Sequence, residues 1–136
     1  MREIEFRGKS SVKNEWIYGD YHRFYGYTDD DFDITISDAF VKEETIGQYT
    51  GLKDKNGKKI FEGDIVKYHT ETISFEVDTI GVVEFYEGTF GIASNKRQHF
   101  LSFYNMSAYV RYVEIIGNIY DNPELLGEID YGDWFI

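Results

Sequence analysis

Residues 46–66 read IGQYTGLKDKNGKKIFEGDIV, and this stretch indicates the fold more clearly than any other. Asn56-Gly57 readily takes the left-handed backbone conformations that a tight turn requires. Lysines and an aspartate surround this pair, and the apolar residues Leu52 and Ile60 lie on either side of them. The pattern predicts a solvated turn between two short strands. A second turn is predicted at Gly63, where the following aspartate can accept hydrogen bonds from backbone amides.

The rest of the chain reads mainly as β-strand. Apolar and polar residues alternate with a period of two over most of it, and β-branched and aromatic residues are frequent. Strands are predicted at residues 4–6, 16–24, 32–36, 65–68, 73–77, 81–86, 90–92 and 112–120. Residues 100–109 are apolar and aromatic, and their periodicity is compatible with either a helix or a strand.

Short helical turns are predicted at two places. Residues 122–127, NPELLG, combine a capping asparagine, a proline at the first helical position, a glutamate in the first turn and a glycine that ends it. Residues 37–44 can form a second single turn, with Ser37 or Asp38 as its cap.

Length and composition fit one domain or two small lobes. The chain has 136 residues, 42% of them hydrophobic and 18% aromatic, which is enough to form a core and too much for a disordered chain. No apolar run reaches the roughly 18 residues that a membrane span needs, and the N-terminus lacks the apolar region of a signal peptide. The absence of cysteine excludes disulfides, zinc–thiolate centres and thiol nucleophiles. We therefore expect a cytoplasmic protein without membrane contact.

The net charge of −11 is concentrated in two acidic zones. Residues 28–44 contain seven acids and one base, and residues 121–136 contain five acids and no base, so the rest of the chain is neutral overall. A polyanion would be repelled by the whole chain and most strongly by these zones. Nucleic-acid binding over a broad surface is therefore not expected.

Motifs for catalysis or metal binding are weak or incomplete. Residues 29–33 have the alternating aspartates of a calcium loop, but Ile34 and Phe40 occupy the positions that require a glycine and an acid, which indicates a solvated loop. The histidines lack the paired spacing of a metal site: His22, His69 and His99. No nucleophile motif or glycine-rich nucleotide loop is visible. The 25 acids leave open whether some carboxylate pair is catalytic. The sequence thus predicts no cofactor, no metal and no enzymatic activity.

Residues 46–66 resemble the signature segment of the YopX-like family of phage and prophage proteins. Other stretches are similar as well: the opening MREIEFRG, GVVEFYEGTF at 81–90, and VEIIGNIYDNPELL at 113–126. Residues 9–40 match loosely, and Gly8-Lys9-Ser10 stands where the family's opening usually continues through Ala-Trp-Asp.

The resemblance implies a mainly β fold with a small SH3-type barrel in the second half, an additional N-terminal β lobe and one or two short helical turns. Residues 1–45 would form the N-terminal lobe. Residues 46–136 would form the YopX-like SH3-type barrel region, with a short C-terminal helical turn and a tail. The resemblance also implies a protein that is encoded by a phage or prophage and is present in the bacterial host cell. Self-association is compatible with it. It provides no catalytic residues.

Two features are candidate contact sites. Lysines around the Asn-Gly turn form the main basic patch, which either keeps the turn soluble or contacts an acidic partner: Lys53, Lys55, Lys58 and Lys59. Lys96-Arg97 is a weaker second patch. The acidic tail ends in large apolar side chains that are costly to leave in water: Tyr131, Trp134, Phe135 and Ile136. We expect this tail to dock on its own domain or on another subunit, with Trp134 and Phe135 among its contacts.

The sequence therefore predicts a non-enzymatic phage accessory protein of uncharacterised role that forms a homo-oligomer and binds a host or phage protein in the bacterial cytoplasm. The alternative is a nucleic-acid-related role, in which the lysine hairpin binds nucleic acid weakly or the acidic zones mimic DNA. DNA binding that is abolished by moderate salt would leave only mimicry.

Overall fold

The computed structural model describes residues 3–25, 32–94, 99–104, 106 and 110–128, and these are mainly β-strand, which confirms the predicted class. The strands are β1 Phe6–Lys9, β2 Trp16–Gly19, β3 Tyr21–Tyr25, β4 Phe32–Ile36, β5 Ala39–Phe40, β6 Gly47–Lys53, β7 Lys59–Phe61, β8 Asp64–Glu71, β9 Glu76–Tyr86, β10 Thr89–Ser94, β11 His99–Ser102 and β12 Val110–Asn118. One 3₁₀ turn, Glu43–Thr45, and one α-helix, α1 Glu124–Glu128, accompany them. Within these ranges no helix has the length and apolar character to cross a membrane.

The chain divides into two compact units, Met1–Gly51 and Leu52–Ile136, and the division falls inside β6. The first residues of β6 pair with β1, and its last residues lead into the lysine-rich turn. The predicted boundary between residues 45 and 46 lies just before this strand.

In the first unit, β1 pairs antiparallel with both β2 and β6, while β3, β4 and β5 form a second antiparallel sheet. Ile34 and Ile36 of β4 are two residues apart and therefore share a face of their strand. Both are buried. The apolar cluster around them is completed by Val41, Phe6, Ile17 and Ile46.

Two local predictions in the first unit are wrong. The predicted strand 16–24 is two strands in different sheets, because the chain breaks at Asp20, whose carbonyl accepts a hydrogen bond from the Ser37 amide. Ser37 and Asp38 do not cap a helix. Both have positive φ, 49° and 65°, and they form the two-residue turn between β4 and β5. The helical turn comes later, at Glu43–Thr45.

The second unit is built on a five-stranded antiparallel sheet with the order β11-β10-β9-β8-β12. In the part of the chain that the structure describes, no pairing joins β11 to β12, so the sheet is open and a closed barrel is not seen. Residues 100–102, the part of the 100–109 stretch that belongs to β11, are strand. The predicted strand 73–77 is wrong for its first half, because the Thr72 amide donates to Phe75 O and closes a turn between β8 and β9.

Adjacent apolar residues show that both faces of this sheet are covered. Ile65 packs in one cluster with Leu126 of α1, whereas its neighbour Val66 packs in another with Ile60 of β7. The pair Val82-Val83 of β9 divides in the same way. The short helix predicted from the Asn-Pro signal is confirmed, although Gly127 lies within α1 and does not end it. The helix shields one face of the sheet from water.

Candidate functional site

The lysine-rich turn is organised by Asp54, which directly follows β6. Asp54 Oδ1 accepts hydrogen bonds from the amides of Asn56 at 2.9 Å and Lys58 at 3.0 Å. The Gly57 amide donates to Asp54 O at 3.0 Å and closes the turn. The predicted turn at Asn56-Gly57 is confirmed with one difference. Only Gly57 of the two has positive φ, 83°, because the aspartate holds a longer turn than the two-residue type that the Asn-Gly pair suggests.

The same aspartate attaches the turn to β12. Asp54 Oδ2 accepts a hydrogen bond from the Ile115 amide at 3.0 Å, and the Lys55 amide donates to Val113 O at 2.9 Å. Burial raises the pKa of the Asp54 carboxyl, but three backbone hydrogen bonds and the nearby Lys58 charge outweigh it and hold the pKa below its usual value. The charged carboxylate of Asp54, a residue that is only 7% exposed, therefore fixes the turn against the sheet edge.

The predicted contact lysines surround this turn. All four are exposed or partly exposed on the hairpin: Lys53, Lys55, Lys58 and Lys59. Lys55 is engaged locally, with Nζ 3.3 Å from Glu114 Oε2 and 4.5 Å from the ring centroid of Tyr112. Partly exposed ion pairs of this kind contribute little stability. Their effect here is to hold the Lys55 side chain in a defined position against β12.

A cleft of about 300 Å³ lies beside the turn, within the second unit. Most of its lining is apolar: Leu52, Ile60, Phe103, Met106, Val110 and Val113. Lys53, Lys55 and Arg111 also belong to the lining. The structure therefore brings the lysine patch together with an apolar surface, an association that the sequence alone did not reveal.

The remaining predicted contact residues, Trp134 and Phe135, lie outside the described residues. So do Lys96-Arg97 and the aspartates at 29–31. Their assignments stay predictions.

A histidine–carboxylate cluster lies on the hairpin formed by β8 and β9. His69 Nδ1 is 2.7 Å from Asp78 Oδ1, and Nε2 is 3.9 Å from Glu76 Oε1. Single nitrogen or oxygen atoms of His69, Glu71 and Glu76 lie within 4.8 Å of one another. Glu71 Oε2 accepts a hydrogen bond from Arg111 Nε at 2.9 Å. One imidazole and three carboxylates thus converge on a small surface of the second unit.

A family model described as "YopX protein" matches residues 5–127. The chain belongs to the YopX family. The match extends from just before β1 into α1 and so includes both the lysine-rich turn and the histidine–carboxylate cluster. Among solved structures, the crystal structure of protein EF1440 from Enterococcus faecalis is similar, with 22% identity, a TM-score of 0.49, and coverage of 93% of this chain and 99% of that one. The comparison with curated proteins gives no match.

The predicted resemblance to YopX proteins is confirmed, but the sequence did not indicate the histidine–carboxylate cluster of this YopX chain. The sequence feature that corresponds to the cluster is a pair of potential ligands two residues apart on each side of a turn: His69 and Glu71 on β8, then Glu76 and Asp78 on β9. This spacing becomes informative only with the strand register, in which His69 faces Asp78 and Glu71 faces Glu76. The other histidines lie on other strands: His22 on β3 and His99 on β11.

Proposed function

We propose that this YopX-family chain is a non-enzymatic phage or prophage accessory protein that acts in the bacterial cytoplasm by self-association and protein binding. Family membership supports the phage-type origin. The observation that carries the binding role is the lysine-rich turn, which is fixed to β12 and lies beside an apolar cleft. In a chain of net charge −11, such a local concentration of lysines favours an acidic partner.

The partner that best fits the cleft is the C-terminal tail of a second copy of this chain. Residues 129–136 follow α1 directly and combine Asp130 and Asp133 with large apolar side chains. Their carboxylates complement the lysines, and their aromatic rings suit the apolar lining. This contact would also offset the repulsion that two acidic chains otherwise meet when they associate.

An SH3-type barrel remains part of the proposal for the second unit. Its five strands follow one another along the chain, and the last, β12, returns to pair with β8, the first. This strand order supports a small barrel, and pairing of β11 with β12, which the described residues do not show, would be needed to close it.

Light scattering tests the self-association. We expect the full chain to be oligomeric at high micromolar concentration and a form ending at Glu128, which keeps all of α1, to be monomeric. Lys53→Gln combined with Lys58→Gln should weaken association, most clearly at low salt. The matched control combines Lys13→Gln with Lys42→Gln, the same change of charge in the first unit.

A full chain that is monomeric at high micromolar concentration refutes self-association. An oligomer that survives the truncation unchanged refutes the role of the tail. Equal weakening by the two lysine double variants would show that net charge, and not the lysine-rich turn, controls assembly.

A further inference from the structure

The strand register collects four potential ligands on one face of the β8–β9 hairpin. Residues two apart on a strand share a face, and directly paired residues on neighbouring strands share it too. His69 pairs with Asp78, and Glu71 pairs with Glu76, so the four side chains form a compact group of two rows. None of them belongs to the lysine-rich turn or to its cleft.

The His69 ring is held in a defined orientation. Its Nδ1 is 2.7 Å from Asp78 Oδ1, and the ring stacks on Tyr112 of β12 with a centroid distance of 5.3 Å and an interplanar angle of 6°. A neutral imidazole that donates its Nδ1–H to this carboxylate leaves the Nε2 lone pair available on the side of Glu76. A carboxylate that orients a histidine in this way is the usual outer partner of a metal-bound imidazole.

The carboxylates are placed where a cation would stabilise them. Glu71 and Glu76 are directly opposed across the hairpin, and like charges at such positions are destabilising. Arg111 donates to one oxygen of Glu71, Oε2, at 2.9 Å. One carboxylate oxygen of Glu71 and one of Glu76 face the same region as His69, since single ligand atoms of the three residues lie within 4.8 Å of one another.

These separations, all within 4.8 Å, exceed those of a coordination sphere by at most about 1.4 Å. Bonds of about 2.0–2.2 Å in a tetrahedral arrangement put neighbouring ligand atoms about 3.4 Å apart. The His69 Nε2–Glu76 Oε1 distance of 3.9 Å therefore needs a contraction of roughly 0.5 Å to reach this value. Because the Glu76 side chain is 63% exposed, rotation about its own bonds can supply this movement.

We propose that His69, Glu71 and Glu76 bind a divalent transition-metal ion of the Zn²⁺ type, with Asp78 as the residue that positions His69. Imidazole nitrogen selects Zn²⁺ over Ca²⁺ and Mg²⁺, which prefer six or more oxygen ligands. Three protein ligands leave one tetrahedral position for water. The bound ion would join β8 to β9 next to the turn that connects them, beyond the region where β9 pairs with β10.

The test is a calorimetric titration of the full chain with zinc chloride, combined with the visible absorption of the Co²⁺-loaded protein. We expect saturable one-to-one binding and the absorption bands of a four-coordinate Co²⁺ site. Glu76→Gln should weaken zinc binding at least tenfold without affecting folding, because Glu76 is largely exposed. Asp78→Asn should weaken it by about 10- to 100-fold, and His69→Gln should abolish it. Glu87→Gln and His99→Gln are the matched controls and should leave it unchanged.

The absence of saturable zinc binding up to millimolar concentration overturns the proposal. So does one-to-one binding that persists in Glu76→Gln and His69→Gln, because the ion is then held elsewhere. Binding of Ca²⁺ more tightly than Zn²⁺ would overturn the assignment to a transition metal.

Discussion

Replacing Asp54 by asparagine tests the attachment of the lysine-rich turn to the sheet. The substitution keeps the size of the side chain and one acceptor oxygen, which can still bond the amides of Asn56 and Lys58. It places an NH₂ group where Oδ2 now accepts from the Ile115 amide at 3.0 Å. The new side-chain NH₂ group and the Ile115 backbone amide, both hydrogen-bond donors, then face each other at a partly buried position.

The expected cost follows from these three hydrogen bonds. A hydrogen bond to a charged group contributes about 1.5–3 kcal/mol, and a donor left unsatisfied away from water costs about 1–3 kcal/mol. The turn amides lie in an exposed loop where water can replace a lost partner, so the penalty is concentrated at Ile115. We expect Asp54→Asn to lower the free energy of unfolding by about 2 kcal/mol and Asp54→Ala by about 3 kcal/mol.

The effect depends on pH in a defined direction. The pKa of Asp54 is lower in the folded protein than the value of about 3.9 for an unfolded aspartate. Its charge therefore contributes stability that is fully present above the unfolded pKa and is lost as the pH falls through the folded pKa. The difference in unfolding free energy between the wild type and Asp54→Asn should be constant near neutral pH and should shrink once the pH falls below about 4.

Urea denaturation followed by circular dichroism measures these differences, and amide hydrogen exchange at Ile115 reports the local bond. Asp38→Asn is the matched control, because it makes the same chemical change at an exposed turn and should stay within about 0.5 kcal/mol of the wild type. Two results would refute the reasoning: an Asp54→Asn protein as stable as this control, or a stability difference that grows on acidification.

Two further predictions concern the turn and the acidic zones. Gly57→Val should lower the free energy of unfolding by about 1 kcal/mol or more, because φ is 83° although an added Cβ would meet nothing within 4 Å. Gly127→Val makes the same change at an equally open position of α1 without a left-handed φ and should not destabilise the protein in the same denaturation assay; equal effects would contradict the argument from backbone strain. Millimolar Ca²⁺ or Mg²⁺ should leave the melting temperature almost unchanged, since the acidic zones are expected to be solvated, and a saturating rise of several degrees would show that they hold a real site.

The features that the sequence predicts well are those set by neighbouring residues. The Asn56-Gly57 turn depends on bonds within five positions of the chain. The predicted role of Asp64 as an acceptor for turn amides is confirmed, since Asp64 Oδ2 accepts from the Phe61 amide at 2.8 Å. Turn preferences and side-chain hydrogen bonds of this kind are encoded locally, and a single sequence is enough to indicate them.

The features that the sequence does not predict depend on strand register. Asp54 reaches the Ile115 amide across 61 positions of the chain. His69 becomes a partner of Asp78 and Glu76 only because β8 and β9 pair in one particular alignment. A shift of one residue would move every side chain of a strand to the opposite face, and the alternation of apolar residues alone does not identify which opposing residues meet.

Tyr112 of β12 connects the two proposed binding surfaces of the second unit. Its ring lies 4.5 Å from Lys55 Nζ and is stacked on the His69 ring at 5.3 Å. A divalent ion beside His69 would offset the negative charge of the two glutamates and make the surroundings of Tyr112 more favourable for an acidic segment at the lysine-rich turn. Coupling between two binding sites is reciprocal, so an acidic partner at the turn would raise the affinity for the ion by the same factor. Binding of the ion and binding of the acidic segment can be tested separately. If both occur, we expect each to increase the affinity for the other.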